Sequence, residues 1–262
     1  MARVLAIANQ KGGVGKTTTS VNLAAALKLA RCRVLLVDLD PQGNATMGSG
    51  ADKHALSASV CEVLLGEQPA ERVIQPAGEA WHDLLPGNAD LTAAEVRLMS
   101  LPDRESRLRE ALVPLKSRYD YILIDCPPSL SMLTVNALVA ADGVLIPMQC
   151  EYYALEGLTA LLGTLERVRA RLNRGLQIEG LLRTMYDPRS NLSRDVSAQL
   201  QAHFGDRLYR TVIPRNIRLA EAPSHGQPAV HYDRQSRGAI AHVALAGEML
   251  RRHRRAVPAA IA

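Results

Sequence analysis

The chain has 262 residues, which at about 150 per domain fits one large domain or two small ones, and its 47% hydrophobic content excludes a disordered polymer. The net charge of +5 hides an asymmetry: residues 1–164 carry 14 basic and 18 acidic groups, residues 165–218 carry 11 and 5, and residues 219–262 carry 6 and 3. A basic back half of this kind points to a polyanionic partner, or else to a solvated basic face.

In chain order, Arg3–Asn9 (RVLAIAN) reads as a strand and Lys16–Ala30 as a helix. Arg33–Asp38 is a second strand, and residues 43–118 read as helical excursions around one short strand at His82–Leu85. Asp120–Asp125 and Gly143–Met148 are further strands, separated by a helix over Ser131–Ala141. Leu155–Leu172 is a helix with Leu155, Leu158, Leu162, Leu165 and Val168 near one face. Gln177–Thr184 and Leu208–Ile213 add strands, and Gly238–Arg255 closes with a helix. Continuous apolar strands imply a sheet covered on both faces, hence an α/β fold with a mostly parallel twisted sheet. One domain is expected over residues 1–255, with a disordered tail at 256–262.

The most apolar stretch, Cys126–Cys150, carries one charge, Asp142, and is broken by Asp142-Gly143. It is too interrupted for a membrane span, which needs about 20 apolar residues in one helix. The N-terminal apolar run is too short for a signal peptide. The four cysteines (Cys32, Cys61, Cys126, Cys150) lack metal-ligand or redox spacing, which fits a reduced cytoplasm. Nine aromatic residues are too few for a module that stacks bases on aromatic platforms.

The strongest motif is Lys11-Gly12-Gly13-Val14-Gly15-Lys16-Thr17-Thr18, set between a predicted strand and a predicted helix. Glycines let backbone N–H groups turn inward around phosphate oxygens, and the helix N-terminus adds partial positive charge. Lys16 is placed to reach the terminal phosphates, and the Thr17 hydroxyl to ligate Mg²⁺. The usual first glycine is replaced by Gln10, and an extra lysine, Lys11, follows it. Only five lysines stand against 26 arginines, and two of the five lie here. Asp125, Asp38 and Asp40 sit at the ends of strands on the same rim, where a carboxylate either serves the site or caps the following segment. Asp125 suits Mg²⁺ held through water, and Asp38 is a weaker metal candidate. No guanine-reading N-K-x-D pattern occurs, so ATP is the expected nucleotide.

At these residues the chain resembles the ParA/MinD class of phosphate-loop ATPases, whose signature is the lysine inside KGGVGKTT. It is most similar to the ParA/Soj chromosome-partitioning branch, through DLDPQGNAT at 38–46, DYILIDCPPSL at 120–130, YDPRSNLS at 186–193 and IPRNIRLAEAPSHGQP at 213–228. The resemblance implies a phosphate-loop fold and ATP-bound monomers that pair face to face. It implies that Lys11 reaches the partner's ATP, Asp40 handles the attacking water, Asp125 senses Mg²⁺, and Pro214 and Asn216 lie near the adenine. It further implies nonspecific binding of double-stranded DNA through Arg189 and Arg218, hydrolysis stimulated by a ParB-like protein, and a nucleoid-associated cytoplasmic location.

The segment 165–218 holds 11 arginines and no lysine, suited to phosphate contact with steep salt dependence. A MinD-like membrane-surface ATPase is the rival, raised by the basic run Arg251–Arg255. The tail after it offers Val257 and Ile261 but also Pro258, a poor membrane helix, so no stable membrane association is expected. A cluster carrier resembling the nitrogenase iron protein would need paired cysteines; Cys126, before two prolines, reads as buried beside the switch. His225 reads as structural.

Overall fold

The computed structural model describes residues 1–79, 81–152 and 154–256. Among the described residues eight strands form one sheet: β1 (Arg3–Ile7), β2 (Val34–Asp38), β3 (Gln75–Pro76), β4 (Asp83–Leu85), β5 (Tyr121–Asp125), β6 (Gly143–Gln149), β7 (Gln177–Tyr186) and β8 (Leu208–Pro214). Their order is β3-β4-β2-β5-β1-β6-β7-β8. Every pairing is parallel except that of the two-residue β3 with β4. The short β3 is an element the sequence reading did not contain.

The strands read as unbroken apolar runs because both faces are buried. Val4 and Ala6, Leu35 and Val37, and Ile122 and Ile124 point into one core. Leu5 and Ile7, Val34 and Leu36, and Tyr121 and Leu123 point into the other. The period of two is therefore present in space but not in polarity. Helices α1 (Lys16–Leu29), α2 (Asn44–Gly48), α3 (Val60–Leu65), α4 (Ala70–Val73), α5 (Leu91–Leu98), α6 (Arg107–Leu112), α7 (Met132–Ala140), α8 (Ala154–Arg171), α9 (Asn191–Phe204), α10 (Ile217–Glu221), α11 (Ala229–Tyr232) and α12 (Arg237–Ala256) connect and cover the strands. The first core takes residues of α3 to α9, and the second takes α1, α11 and α12. The small residues Ala24, Ala25 and Ala26 let α1 sit close on the sheet.

Three details differ from the sequence reading. Helix α9 was not assigned there, although Leu192, Val196, Leu200 and Phe204 recur every fourth residue; Val196 and Leu200 are buried. On α8 the deepest residues are Leu158, Leu161, Leu165 and Val168, with Leu162 half-buried, so the buried face is turned toward Leu161. Arg183, expected from the sequence in or beside a loop, is not a free surface cation. It lies in β7 and donates to Ser197 Oγ (2.8 Å) and the carbonyls of Tyr209 (2.8 Å) and Arg210 (3.2 Å). The expected tail falls, from residue 257 on, outside the described residues.

At the end of the sheet opposite the phosphate loop, α12 is fastened by Glu179. Its buried carboxylate accepts from Arg3 (2.8 Å) and the Tyr209 hydroxyl (2.9 Å), and it pairs with His253 Nε2 (2.8 Å). Burial alone would raise its pKa, but His253, Arg3 and Tyr209 outweigh burial and hold it below the ordinary Glu value. A depressed folded pKa stabilises above the unfolded pKa, and the contribution is lost as pH falls through the folded value. Glu179→Ala is expected to lower urea-unfolding stability at pH 7 by about 1–3 kcal/mol, because it removes the acceptor shared by Arg3, the Tyr209 hydroxyl and His253. Part of that difference should vanish as the pH drops below the ordinary Glu range.

Candidate nucleotide site

Strand β1 ends in the middle of the sheet, and residues 8–15 turn from it into α1. Asn9 ties the first half of this loop: its Oδ1 accepts from Lys11 N (3.0 Å), and its Nδ2 donates to the Pro147 carbonyl (2.8 Å). Gly13 (φ 74°) and Gly15 (φ 84°) are left-handed, a conformation that disfavours a Cβ. Gly15 is the N-cap of α1 and supplies no side-chain cap, so the first-turn amides remain free for an anion. Lys16 is buried, and its Nζ donates to the loop's own Lys11 carbonyl (3.1 Å). Burial lowers its pKa, opposed chiefly by the charge of Asp125.

The three aspartates lie on this rim, in different roles. Asp125 pairs in register with Ile7 on one side and Asp38 on the other. It is fully buried and accepts from Ser20 Oγ (2.7 Å), the Thr17 hydroxyl lies near enough to favour its ionised form, and Oδ2 has no partner among the described residues. A threonine hydroxyl beside a carboxylate with a vacant buried oxygen is an oxygen donor set suited to Mg²⁺. Asp38 is fully buried with both oxygens engaged: Oδ1 accepts from Asp40 N (3.2 Å), and Oδ2 from Thr46 N (2.7 Å) and Thr46 Oγ1 (2.8 Å). It therefore anchors the start of α2 instead of presenting a free oxygen to a metal. Asp40, nearly buried, heads the turn into α2 and accepts from Gln42 N (3.0 Å). Burial pushes the carboxyls of both Asp38 and Asp125 above the ordinary range, and repulsion between them adds to the rise at Asp125.

Beside the loop opens a cavity of about 190 Å³, which brings Gly15 and Thr18 together with Pro214 and Asn216 from the end of β8. Thr184, Met185, Ile213, Leu219 and His242 complete its apolar wall. No local pattern marks these five, since they come from four elements that meet only in the folded chain. Asn216 Oδ1 is buried without a partner among the described residues. His242 lies in the same wall, kept neutral by burial, with its pKa pushed down to about 4.

Lys11 stands exposed at the loop's mouth, with Nζ 2.6 Å from Glu151 Oε2. Arg189, 89% exposed, pairs with Asp187 (2.9 Å), close to Arg215. Arg218, 46% exposed, is shared between Glu221 (2.7 Å) and Asp233 (3.3 Å). Cys126 is fully buried, and all four cysteines are free. His225 stacks on Tyr232 at 4.8 Å. Among the described residues no helix is long and apolar enough to cross a membrane, and no cluster of three or more metal-ligating side chains occurs.

A family model described as an AAA domain (AAA_31) matches residues 2–178. The chain is 53% identical over 250 residues to the chromosome-partitioning ATPase Soj of Thermus thermophilus, covering 95% of this chain and 96% of that one. It is 51% identical over 249 residues to the sporulation initiation inhibitor protein Soj of Bacillus subtilis, covering 95% and 98%. The crystal structure of cobyrinic acid a,c-diamide synthase from Mycobacterium smegmatis, with bound ATP analogue and magnesium, has a TM-score of 0.85 at 40% identity, covering 98% and 97%.

Two outcomes are expected from the buried carboxylates. Thr46 Oγ1 also accepts from Gly87 N (2.9 Å), so Thr46→Val should cost about 1–3 kcal/mol in urea unfolding by stranding the Gly87 amide and removing one of the donors to Asp38, and Thr46→Ser should restore most of it. Since the folded pKa values of Asp38 and Asp125 exceed the unfolded ones, their contribution to stability without nucleotide falls as pH rises above the ordinary Asp range. Asp125→Asn should flatten that part of the stability–pH curve measured by thermal unfolding.

Proposed function

The chain belongs to the ParA/Soj family of chromosome-partitioning ATPases, and from that premise we propose that it is an ATP-driven dimer switch that binds nonspecific DNA and segregates chromosome or plasmid DNA. The observation that carries this reading is the arrangement at the end of β1. A phosphate loop with free helix-start amides, the buried Lys16 and the half-vacant Asp125 carboxylate adjoins an apolar cavity, and the second lysine stands exposed at its mouth.

The reaction is ATP and water to ADP and phosphate. The amides of Gly12 to Thr18 and the Lys16 ammonium hold the phosphates, and Lys16 leaves the Lys11 carbonyl to do so. Thr17 and, through water, Asp125 would hold Mg²⁺, which when bound neutralises charge between the terminal phosphates. Asp40 orients the attacking water and accepts its proton. The adenine enters the cavity between Gly15 and Pro214, where the vacant Asn216 oxygen accepts from an exocyclic amino group. Lys11 exchanges Glu151 for the phosphates of a second, face-to-face chain, offsetting charge that would otherwise separate the two nucleotides.

Hydrolysis then releases the dimer, slowly alone and faster with a ParB-like partner. Arg189 and Arg218 contact DNA phosphates, and the paired chain doubles that surface; residues 1–255 act as one domain, in the cytoplasm on the nucleoid. Arg189 is the freer of the two arginines, since Arg218 must leave two carboxylates.

Size-exclusion chromatography and gel shift with plain duplex DNA, run in parallel with ATP and with ADP across a salt series, test the reading. The ATP form is expected to dimerise and bind DNA, with affinity falling steeply with salt. Arg189→Glu should weaken binding at every sequence alike and more than Arg218→Glu does. Asp40→Ala should bind ATP without turnover, and Lys11→Ala should stay monomeric. An ATP form that remains monomeric and ignores DNA refutes the proposal.

A further inference from the structure

Strand β7 ends in a strained corner. Met185 has φ 48° and is one of three described non-glycine residues in the left-handed region, where an L side chain crowds its own backbone. The pairing of β7 with β8 slips by one residue between Arg183 and Tyr186, the mark of a bulge. In a regular strand Thr184 and Met185 would point to opposite faces of the sheet. Here both lie against the phosphate loop. A Cβ placed on Gly15 would sit 3.8 Å from Thr184 Cβ and Cγ2 and 4.0 Å from Met185 Cε. Thr184 is buried, and its hydroxyl donates to the Val14 carbonyl at 2.8 Å, a contact spanning 170 positions of sequence. The Gln149 amide meets Met185 Sδ and also reaches the Gly13 carbonyl at 3.5 Å.

We propose that Thr184 and Met185 are positioning residues of the phosphate loop. The Thr184 hydroxyl turns the Val14 carbonyl outward, away from where phosphate sits. The Met185 thioether closes over Gly15. Together they hold the loop amides inward before nucleotide arrives. Strain of this kind persists only where the surroundings over-determine it, and here the surroundings are the loop itself. Glycine would meet the backbone demand at 185 without strain, so the methionine side chain is what the corner retains. The inference rests on the nucleotide reading of this site.

The test uses the full chain, titrated calorimetrically with MgADP, and its Tm without nucleotide. Thr184→Val is expected to weaken binding about tenfold, and Thr184→Ser to stay within about twofold of the parent chain. Met185→Gly should keep or raise Tm, because glycine adopts the left-handed conformation freely, yet weaken binding about threefold or more. That opposed movement is one a merely structural contact does not produce, and the same loss with magnesium pyrophosphate, which has no adenine to touch Met185 in the cavity wall, separates loop positioning from a lost base contact. Parent-like affinity in Met185→Gly, or a lower Tm with parent-like affinity in Thr184→Val, overturns the proposal. Where Thr184→Val does not fold, Met185→Gly alone decides. A parent chain that bound no MgADP would remove the nucleotide reading and this inference together, whereas binding that both variants leave untouched removes the inference alone.

Discussion

A phosphate loop is a row of backbone N–H groups kept without partners, and much of this fold serves to keep them so. A backbone amide takes any acceptor its own chain can bring to it, so the chain must be prevented from satisfying these itself. Left-handed Gly13 and Gly15 aim them, and the N-cap offers no side chain that would take them. Helix α1 cannot shift to relieve them, because it is buried along most of its length between the sheet and α12. Loop carbonyls are instead occupied from outside: Lys11's by Lys16, Val14's by Thr184 and Gly13's by Gln149.

The second feature that follows is electrostatic. Two fully buried carboxylates, Asp38 and Asp125, sit opposite each other in register next to a buried ammonium. Asp38 has its oxygens filled by the Asp40 amide and by Thr46 of α2, whereas Asp125 keeps one vacant. One spacing in the sequence thus yields two unlike environments. The exposed cations lie further out: Arg189 and Arg215 gather around Asp187, where β7 and β8 deliver their loops to the same edge. The charge asymmetry along the chain becomes an asymmetry in space, with an acidic interior at the loop and basic groups on the rim.

Legibility in the sequence tracked how local the cause was. The strands β1, β2, β5 and β6 and helix α1 were readable because burial on both faces leaves long apolar runs and the loop glycines punctuate them. Helix α9 was equally readable from Leu192, Val196 and Leu200, but its polar surroundings concealed the spacing. The face of α8 was legible at Leu158, Leu165 and Val168, and packing against the core adds Leu161 while leaving Leu162 half-buried at its edge. Arg183 counted as one more surface cation in composition, yet it fills the gap where β7 and β8 fall out of register.

By itself, then, the sequence determined the doubly covered parallel sheet, the phosphate loop with its extra lysine, and the carboxylates at the strand ends. Each follows from residues adjacent in the chain, whose backbone freedom and polarity act over one turn or one strand. Only the tertiary structure decided which carboxylate keeps a free oxygen, what lines the cavity beside Gly15, and that a strained Met185 is pressed against the loop. Those outcomes depend on contacts between elements more than 100 residues apart in some cases, such as Thr184 with Val14 and Ser20 with Asp125. No local propensity encodes such a contact; it exists once the sheet has set the strand order and brought the loops to one edge.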